Sequence, residues 1–213
     1  MDKNDLEIDN LPNRLTIFRI LMIPIVVLSL HFSVLPPLSL IPYRPYMGQV
    51  ACWIFVIASI TDFLDGYIAR KRNIVTVFGS FLDPIADKFL VVSGLIMLMA
   101  LDRVHPMVVI ILVLREMYMT SLRLLALTEE VDVPVSWMGK WKTATQMVAM
   151  PMLMIYEEFL GLNLPVLGTI LIYLSALLSL WSALKYSLSM LKKLKEKRLQ
   201  KKKKMKKITK EGV

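Results

Sequence analysis

Apolar residues run continuously, rather than in alternation, over six stretches of this chain: approximately Leu15 to Phe32, Gln49 to Ile68, Ile85 to Leu101, Pro106 to Leu127, Trp141 to Phe159 and Pro165 to Leu191. A helix needs about 20 such residues to cross roughly 30 Å of hydrocarbon. Only helices and closed barrels satisfy their backbone polar groups in lipid, and barrel strands would alternate apolar with polar positions. The pattern therefore predicts an all-α integral membrane protein with six transmembrane helices. The sixth run is long enough to leave the bilayer and continue as a surface helix. Pro36, Pro37, Pro42 and Pro45 interrupt the chain between the first two runs and predict a stiff, extended connection.

The 213 residues are 56% hydrophobic, far too apolar for a disordered chain, and carry a formal net charge of +9. That charge is not spread evenly. From Lys192 to Val213, eleven lysines and Arg198 stand against Glu196 and Glu211, a net +10 that leaves −1 for the preceding 191 residues. A near-neutral body with a basic tail argues against nucleic acid as a partner, because nucleic-acid-binding domains carry their basic patch on the folded face that binds. The single Cys52 permits no intrachain disulfide.

Charge also predicts orientation. Arg70, Lys71 and Arg72 follow the second run, Lys140 and Lys142 precede the fifth, and the basic tail follows the sixth. These segments and both termini are expected on the cytoplasmic side of the cell membrane, with Arg44, Arg103, Glu157 and Glu158 in the opposite loops. Asp2, Asp5, Glu7 and Asp9 give the N-terminus the wrong sign for a cleaved export signal, so the first run is expected to be a retained span. The organisation is then a cytoplasmic segment over 1–14, a six-helix membrane domain over 15–191 and a basic cytoplasmic tail over 192–213. Trp53, Trp137, Trp141 and Trp181 read as interfacial anchors or packing.

Candidate chemistry lies in four acids at or near the ends of the second and third spans, Asp62, Asp65, Asp83 and Asp87. At about 100° per residue, Asp62, Asp65, Gly66 and Ala69 share one helical stripe, and Asp83 and Asp87 stack one turn apart on the next helix. Two helices joined by a short loop thus aim a carboxylate cluster at one point near the cytoplasmic face. A lone Asp at a helix end is ordinarily an ion-pair partner or solvated; four in two phased pairs indicate a functional site. Four anions cannot share a dry site without cations. Oxygen-only donors favour Mg²⁺, or Mn²⁺, over zinc, and His31 and His105 fall on the other side of the membrane. A cation or proton transporter using the acids as an ion path is the alternative, although it would spread them over several spans near the midplane.

Read from Asp62 to Asp87, the chain gives D-x2-D-G-x2-A-R-x8-G-x3-D-x3-D, with Asp62, Asp65, Gly66, Ala69, Arg70, Gly79, Asp83 and Asp87 at the fixed positions. This resembles, in full, the signature of the CDP-alcohol phosphotransferases. Further segments resemble those of bacterial members that take glycerol 3-phosphate as acceptor: Pro12-Asn13-Arg14-Leu15-Thr16 with Arg19, Arg115-Glu116 with Leu122-Arg123, and Gly139-Lys140-Trp141-Lys142-Thr143 with Gln146. Thr120-Ser121 stands where those members commonly have Ser-Gly, and Leu124 where an acidic residue is usual.

The resemblance implies a six-helix membrane enzyme, generally homodimeric, in which an alcohol displaces CMP from CDP-diacylglycerol. It implies that Asp62, Asp65 and Asp83 hold one or two metal ions, with Asp87 as a further ligand or neighbour and as general base. Arg70 would neutralise the donor diphosphate, Gly66, Ala69 and Gly79 would make room for the cytidine, and Asn13, Thr16 and Arg19 would adjoin it. An acceptor that carries phosphate needs a second cationic pocket, for which Arg115, Arg123, Lys140, Lys142 and Thr143 are the candidates. Phosphatidylglycerol and inositol phosphate, the acceptors of a cardiolipin synthase and a phosphatidylinositol phosphate synthase, remain alternatives. Beside an anionic leaflet, the tail lysines would draw membrane lipids as partners.

Overall fold

The computed structural model describes residues 11–35, 37–72, 77–131, 137–159 and 161–211. Among the described residues six α-helices follow the six apolar runs: α1 (Leu11–Phe32), α2 (Arg44–Arg72), α3 (Val77–Ala100), α4 (Pro106–Thr128), α5 (Trp137–Ile155) and α6 (Leu164–Glu211). A 3₁₀ helix (Leu38–Tyr43) precedes α2, and a two-residue ladder joins β1 (Glu158–Phe159) to β2 (Leu162–Asn163), pairing Glu158 with Asn163 and Phe159 with Leu162. Among the described residues, the stretches Arg14–Phe32 and Leu164–Leu199 are long and apolar enough to cross a membrane, and Tyr46–Asp62 is a shorter apolar stretch.

Several expected boundaries move, each for a local reason. The connection before α2 is not extended throughout. Pro37 is extended, with ψ 157°, but Pro42 lies inside the 3₁₀ helix and Pro45 in the first turn of α2, where the missing N–H interrupts no intrahelical bond. Pro36 lies outside the described residues. The fifth apolar run was expected to stay helical to Phe159, but α5 stops at Ile155 because Tyr156 turns to φ 55°. Helices α3 and α4 end in the same left-handed way at non-glycine residues, Asp102 (φ 55°) and Glu130 (φ 48°). In both, the two N–H groups past the helix return to its last turn: Asp102 to Met99 and Arg103 to Leu98, Glu130 to Leu127 and Val131 to Ala126. At the start of α6 the Asn163 side chain accepts the Val166 N–H at 3.2 Å, an N-cap supplied by the end of β2. From there α6 runs unbroken to Glu211, so the basic tail is helical.

The chain forms two compact units. The first comprises Met1–Val109 and Thr145–Ile172. In it α1 packs on α2 and α3, and α2 on α3. Val26, Leu30, Phe55, Leu90, Met150 and Leu153 are buried in its core. Small residues set the helix spacing, since in lipid the helices associate through close packing rather than through exclusion of water. A Cβ on Gly94 would lie 2.6 Å from the Met150 Cε, and one on Gly48 would lie 2.6 Å from the Met154 carbonyl oxygen.

The second unit comprises Ile110–Ala144 and Tyr173–Val213. Met119 and Ala126 of α4 pack with Ala183, Tyr186 and Met190 of α6, residues spaced by three, four and seven so that each helix offers one face. The Lys197 ammonium of α6 donates to the Glu129 carbonyl and lies 3.7 Å from the Glu130 carboxylate, placing a cation at the negative end of the α4 dipole.

The two close glycines differ in what an added methyl would strike. At Gly94 it meets the free end of a methionine, which can swing away; at Gly48 it meets backbone, which cannot. Gly48→Ala is therefore expected to cost about 1–3 kcal/mol, against less than about 1 kcal/mol for Gly94→Ala. Thermal unfolding in detergent checks the ranking, and an equal loss at both positions would refute it.

Candidate active site

One face of α1 carries Thr16, Arg19, Val26 and Leu30, all buried, at the three- and four-residue steps that align side chains on a helix. A guanidinium on such a face needs an anion, because an uncompensated charge in an apolar interior is costly. Asp62 of α2 supplies it, with Arg19 Nη1 2.6 Å from Asp62 Oδ1. The pair is asymmetric: the Arg19 side chain is 0% exposed and that of Asp62 37%. Asp62 is thus anchored from within the bundle while its carboxylate still reaches the outside.

The helical setting the signature requires is present. α2 continues through Asp62, Asp65, Gly66, Ala69 and Arg70, and α3 runs through Gly79, Asp83 and Asp87. Asp87 is half-buried next to the fully buried Ala86. The side chains of Asn13, Asp65, Gly66, Ala69, Arg70, Gly79 and Asp83 lie outside the described residues. Among the described residues no three His, Cys, Asp or Glu side chains gather to hold a metal, so the expected set depends on Asp65 and Asp83 as well as on Asp62 and Asp87. As a donor set it fits a hard divalent ion: every donor is a carboxylate oxygen, and Asp62 is both anchored and accessible.

The five acceptor candidates do not share one environment. Arg115 and Lys142 are buried and meet at Glu116, whose Oε2 accepts from Arg115 Nη1 at 2.9 Å and from Lys142 Nζ at 2.7 Å. Arg115 Nε also donates to the Ser179 carbonyl at 3.2 Å, and the Lys142 carbonyl accepts from the Ser175 hydroxyl at 3.2 Å. The group therefore ties α4 to α5 and α6. Gln146, one turn beyond Lys142, is buried too. Arg123, Lys140 and Thr143 are exposed, and the Thr143 hydroxyl donates back to the Gly139 carbonyl at 3.2 Å. Glu116 had no assigned role in the sequence. The signal for it was a carboxylate in the middle of an apolar run, beside an arginine.

A model of the CDP-alcohol phosphatidyltransferase family matches residues 9–181, a stretch that includes both carboxylate pairs and the Glu116 cluster. The chain belongs to the CDP-alcohol phosphatidyltransferase family. Relatives called CDP-diacylglycerol--glycerol-3-phosphate 3-phosphatidyltransferase occur in Rickettsia felis, Haemophilus influenzae and Shigella flexneri. They are 38%, 37% and 36% identical over 178, 182 and 187 residues, which is 83% of this chain in each case and 93%, 91% and 92% of the relatives. CDP-alcohol phosphatidyltransferases are integral to membranes and generally use a divalent metal. The family match ends at Trp181, so the lysine-rich end of α6 lies beyond the part shared with other CDP-alcohol phosphatidyltransferases.

Glu116 offsets two buried cations at once, and its loss leaves both without their shared carboxylate. Glu116→Gln is expected to destabilise the protein by about 3–5 kcal/mol, seen as a fall in the thermal midpoint. Adding Lys142→Met, which removes one of those two charges, should recover part of that loss. A double variant as unstable as the two single losses added together would contradict this account.

Proposed function

We propose that this chain transfers the phosphatidyl group of CDP-diacylglycerol to glycerol 3-phosphate, giving phosphatidylglycerophosphate and CMP for anionic phospholipid synthesis. The observation that carries this reading is the complete eight-position signature from Asp62 to Asp87, set on α2 and α3, in a chain whose relatives bear that activity in their names over 91% or more of their own length.

Asp62, Asp65 and Asp83 would hold one or two Mg²⁺ or Mn²⁺ ions, with Asp87 as a further ligand or neighbour. Such an ion, when bound, neutralises the donor diphosphate and polarises the phosphorus under attack. The chain itself binds, orients and moves the proton. Arg19 fixes Asp62 from the buried side. Arg70 pairs with the donor diphosphate through its forked guanidinium. Gly66, Ala69 and Gly79 leave room for the cytidine, with Asn13 and Thr16 beside it.

Asp87 accepts the proton of the primary hydroxyl of glycerol 3-phosphate as that oxygen bonds to the phosphorus carrying diacylglycerol. The bond from this phosphorus to the oxygen shared with CMP breaks, and CMP leaves with the electron pair. Arg123 and Lys140, both exposed, would meet the acceptor phosphate, with Thr143 one turn from Lys140 on the same helix, and Arg115 and Lys142 would add charge from the buried group at Glu116. What supports this role is charge: Arg115 and Lys142 share one carboxylate, which leaves a net positive charge, and Arg123 and Lys140 add two exposed cations.

The same reading takes all six helices as spans of the cell membrane in a homodimer, with both termini and the carboxylates on the cytoplasmic side. The lysines and arginines that flank the second, fifth and sixth apolar runs support that orientation.

Purified protein given CDP-diacylglycerol, radiolabelled glycerol 3-phosphate and Mg²⁺ should release CMP and label a lipid, and chelation by EDTA should stop both. Phosphatidylglycerol, inositol phosphate and serine, run in parallel, should give little CMP; preference for any of them would reassign the acceptor, and no CMP from any would overturn the enzyme reading. Asp87→Asn should lower kcat by about 10²–10⁴-fold while CDP-diacylglycerol binding, followed by equilibrium titration, persists. Retained turnover would remove Asp87 from the role of base.

A further inference from the structure

A cavity of about 250 Å³ lies in the first unit, lined by Ser33, Arg44, Gly48, Arg103, Tyr156 and Glu157 among others. Along α2 it is remote from the acids: eighteen residues separate Arg44 from Asp62, about 27 Å at the rise of an α-helix. It also lies where apolar helix gives way to polar chain. The apolar stretch Arg14–Phe32 ends one residue before Ser33, and Tyr46–Asp62 begins two residues after Arg44. Exposed Tyr43 and Tyr46 mark the same level, as interfacial tyrosines do.

Both arginines are held by the backbone. Arg44 Nε donates to the Ser33 carbonyl at 3.1 Å. Arg103 Nη1 donates to the carbonyls of Leu153 and Met154 at 3.0 and 2.6 Å, and its guanidinium lies 4.8 Å from the Tyr156 ring centre. These contacts satisfy the last carbonyls of α5 and fix the two cations, yet a guanidinium carries five N–H donors and most remain for a ligand. Burial lowers the pKa of Arg103, while Tyr156 and Glu157 nearby raise it. The lining thus carries two cations and one carboxylate at the level where the two apolar stretches end.

We propose that this cavity binds the head group of a membrane phospholipid that carries both a phosphodiester and a primary ammonium, the phosphate between Arg44 and Arg103 and the ammonium at Glu157. Two guanidiniums suit phosphate oxygens, and a single carboxylate selects a cationic over a hydroxylated head group. The site would hold a lipid of the leaflet opposite the carboxylates, apart from either substrate.

Native mass spectrometry of the full chain in detergent, titrated with short-chain phosphatidylethanolamine, phosphatidylglycerol or inorganic phosphate, tests this. Phosphatidylethanolamine should be retained best, and inorganic phosphate should fail to displace it. Arg44→Ala, at an exposed position, should weaken retention about tenfold. Glu157→Gln should remove the preference over phosphatidylglycerol while leaving phosphatidylglycerol binding intact. Equal retention of the two lipids by the unaltered protein, displacement by phosphate, or retention unaffected by both substitutions would each overturn the proposal.

Discussion

A charge inside an apolar helical bundle must be met by an opposite charge or by a carbonyl, and this requirement organises the molecule. Arg19, wholly buried, is met by Asp62. Arg115 and Lys142 are met by Glu116, and Arg103 by the last carbonyls of α5. Arg19 with Asp62 joins α1 to α2, and Lys142 with Glu116 joins α5 to α4, so each of these pairs also fixes a helix in rotation. Apolar packing alone would define such rotations loosely, because one leucine face resembles another; an ion pair lost by a turn of 100° leaves a buried charge alone.

The same contacts couple fold to chemistry. In the first unit the pair to Arg19 settles how Asp62 presents its carboxylate. In the second unit the shared carboxylate of Glu116 allows two cations to sit close together without repelling one another apart. The region that matches the family takes in both arrangements and ends within α6, before the lysine-rich end.

The helices were legible in the sequence because each follows a continuous apolar run. Their ends were less so. Asp102, Glu130 and Tyr156 close their helices with positive φ, a task that sequence patterns assign to glycine, and no composition rule would choose those three residues. Prolines were read as extended chain before α2, although the early turns of a helix tolerate them equally well. The four acids were singled out in the sequence because their spacing matches the helical repeat. Their partners were not: Arg19 was read as a nucleotide contact and is tied to Asp62, and Glu116 passed as a neighbour of Arg115 rather than as the anion of two cations. Which charge pairs with which depends on helix rotation, and that is settled only when all the faces pack.

The position of Arg19 bears on how the chain is made. It lies early in the apolar stretch Arg14–Phe32, five residues from its start, and about 1.5 Å per residue leaves the guanidinium within a long side chain's reach of the membrane surface. α1 can therefore enter the bilayer as it is synthesised, with its cation still hydrated, before Asp62 exists. Asp62, on α2, then meets that cation, so one ion pair ties together the two helices that come first in the chain.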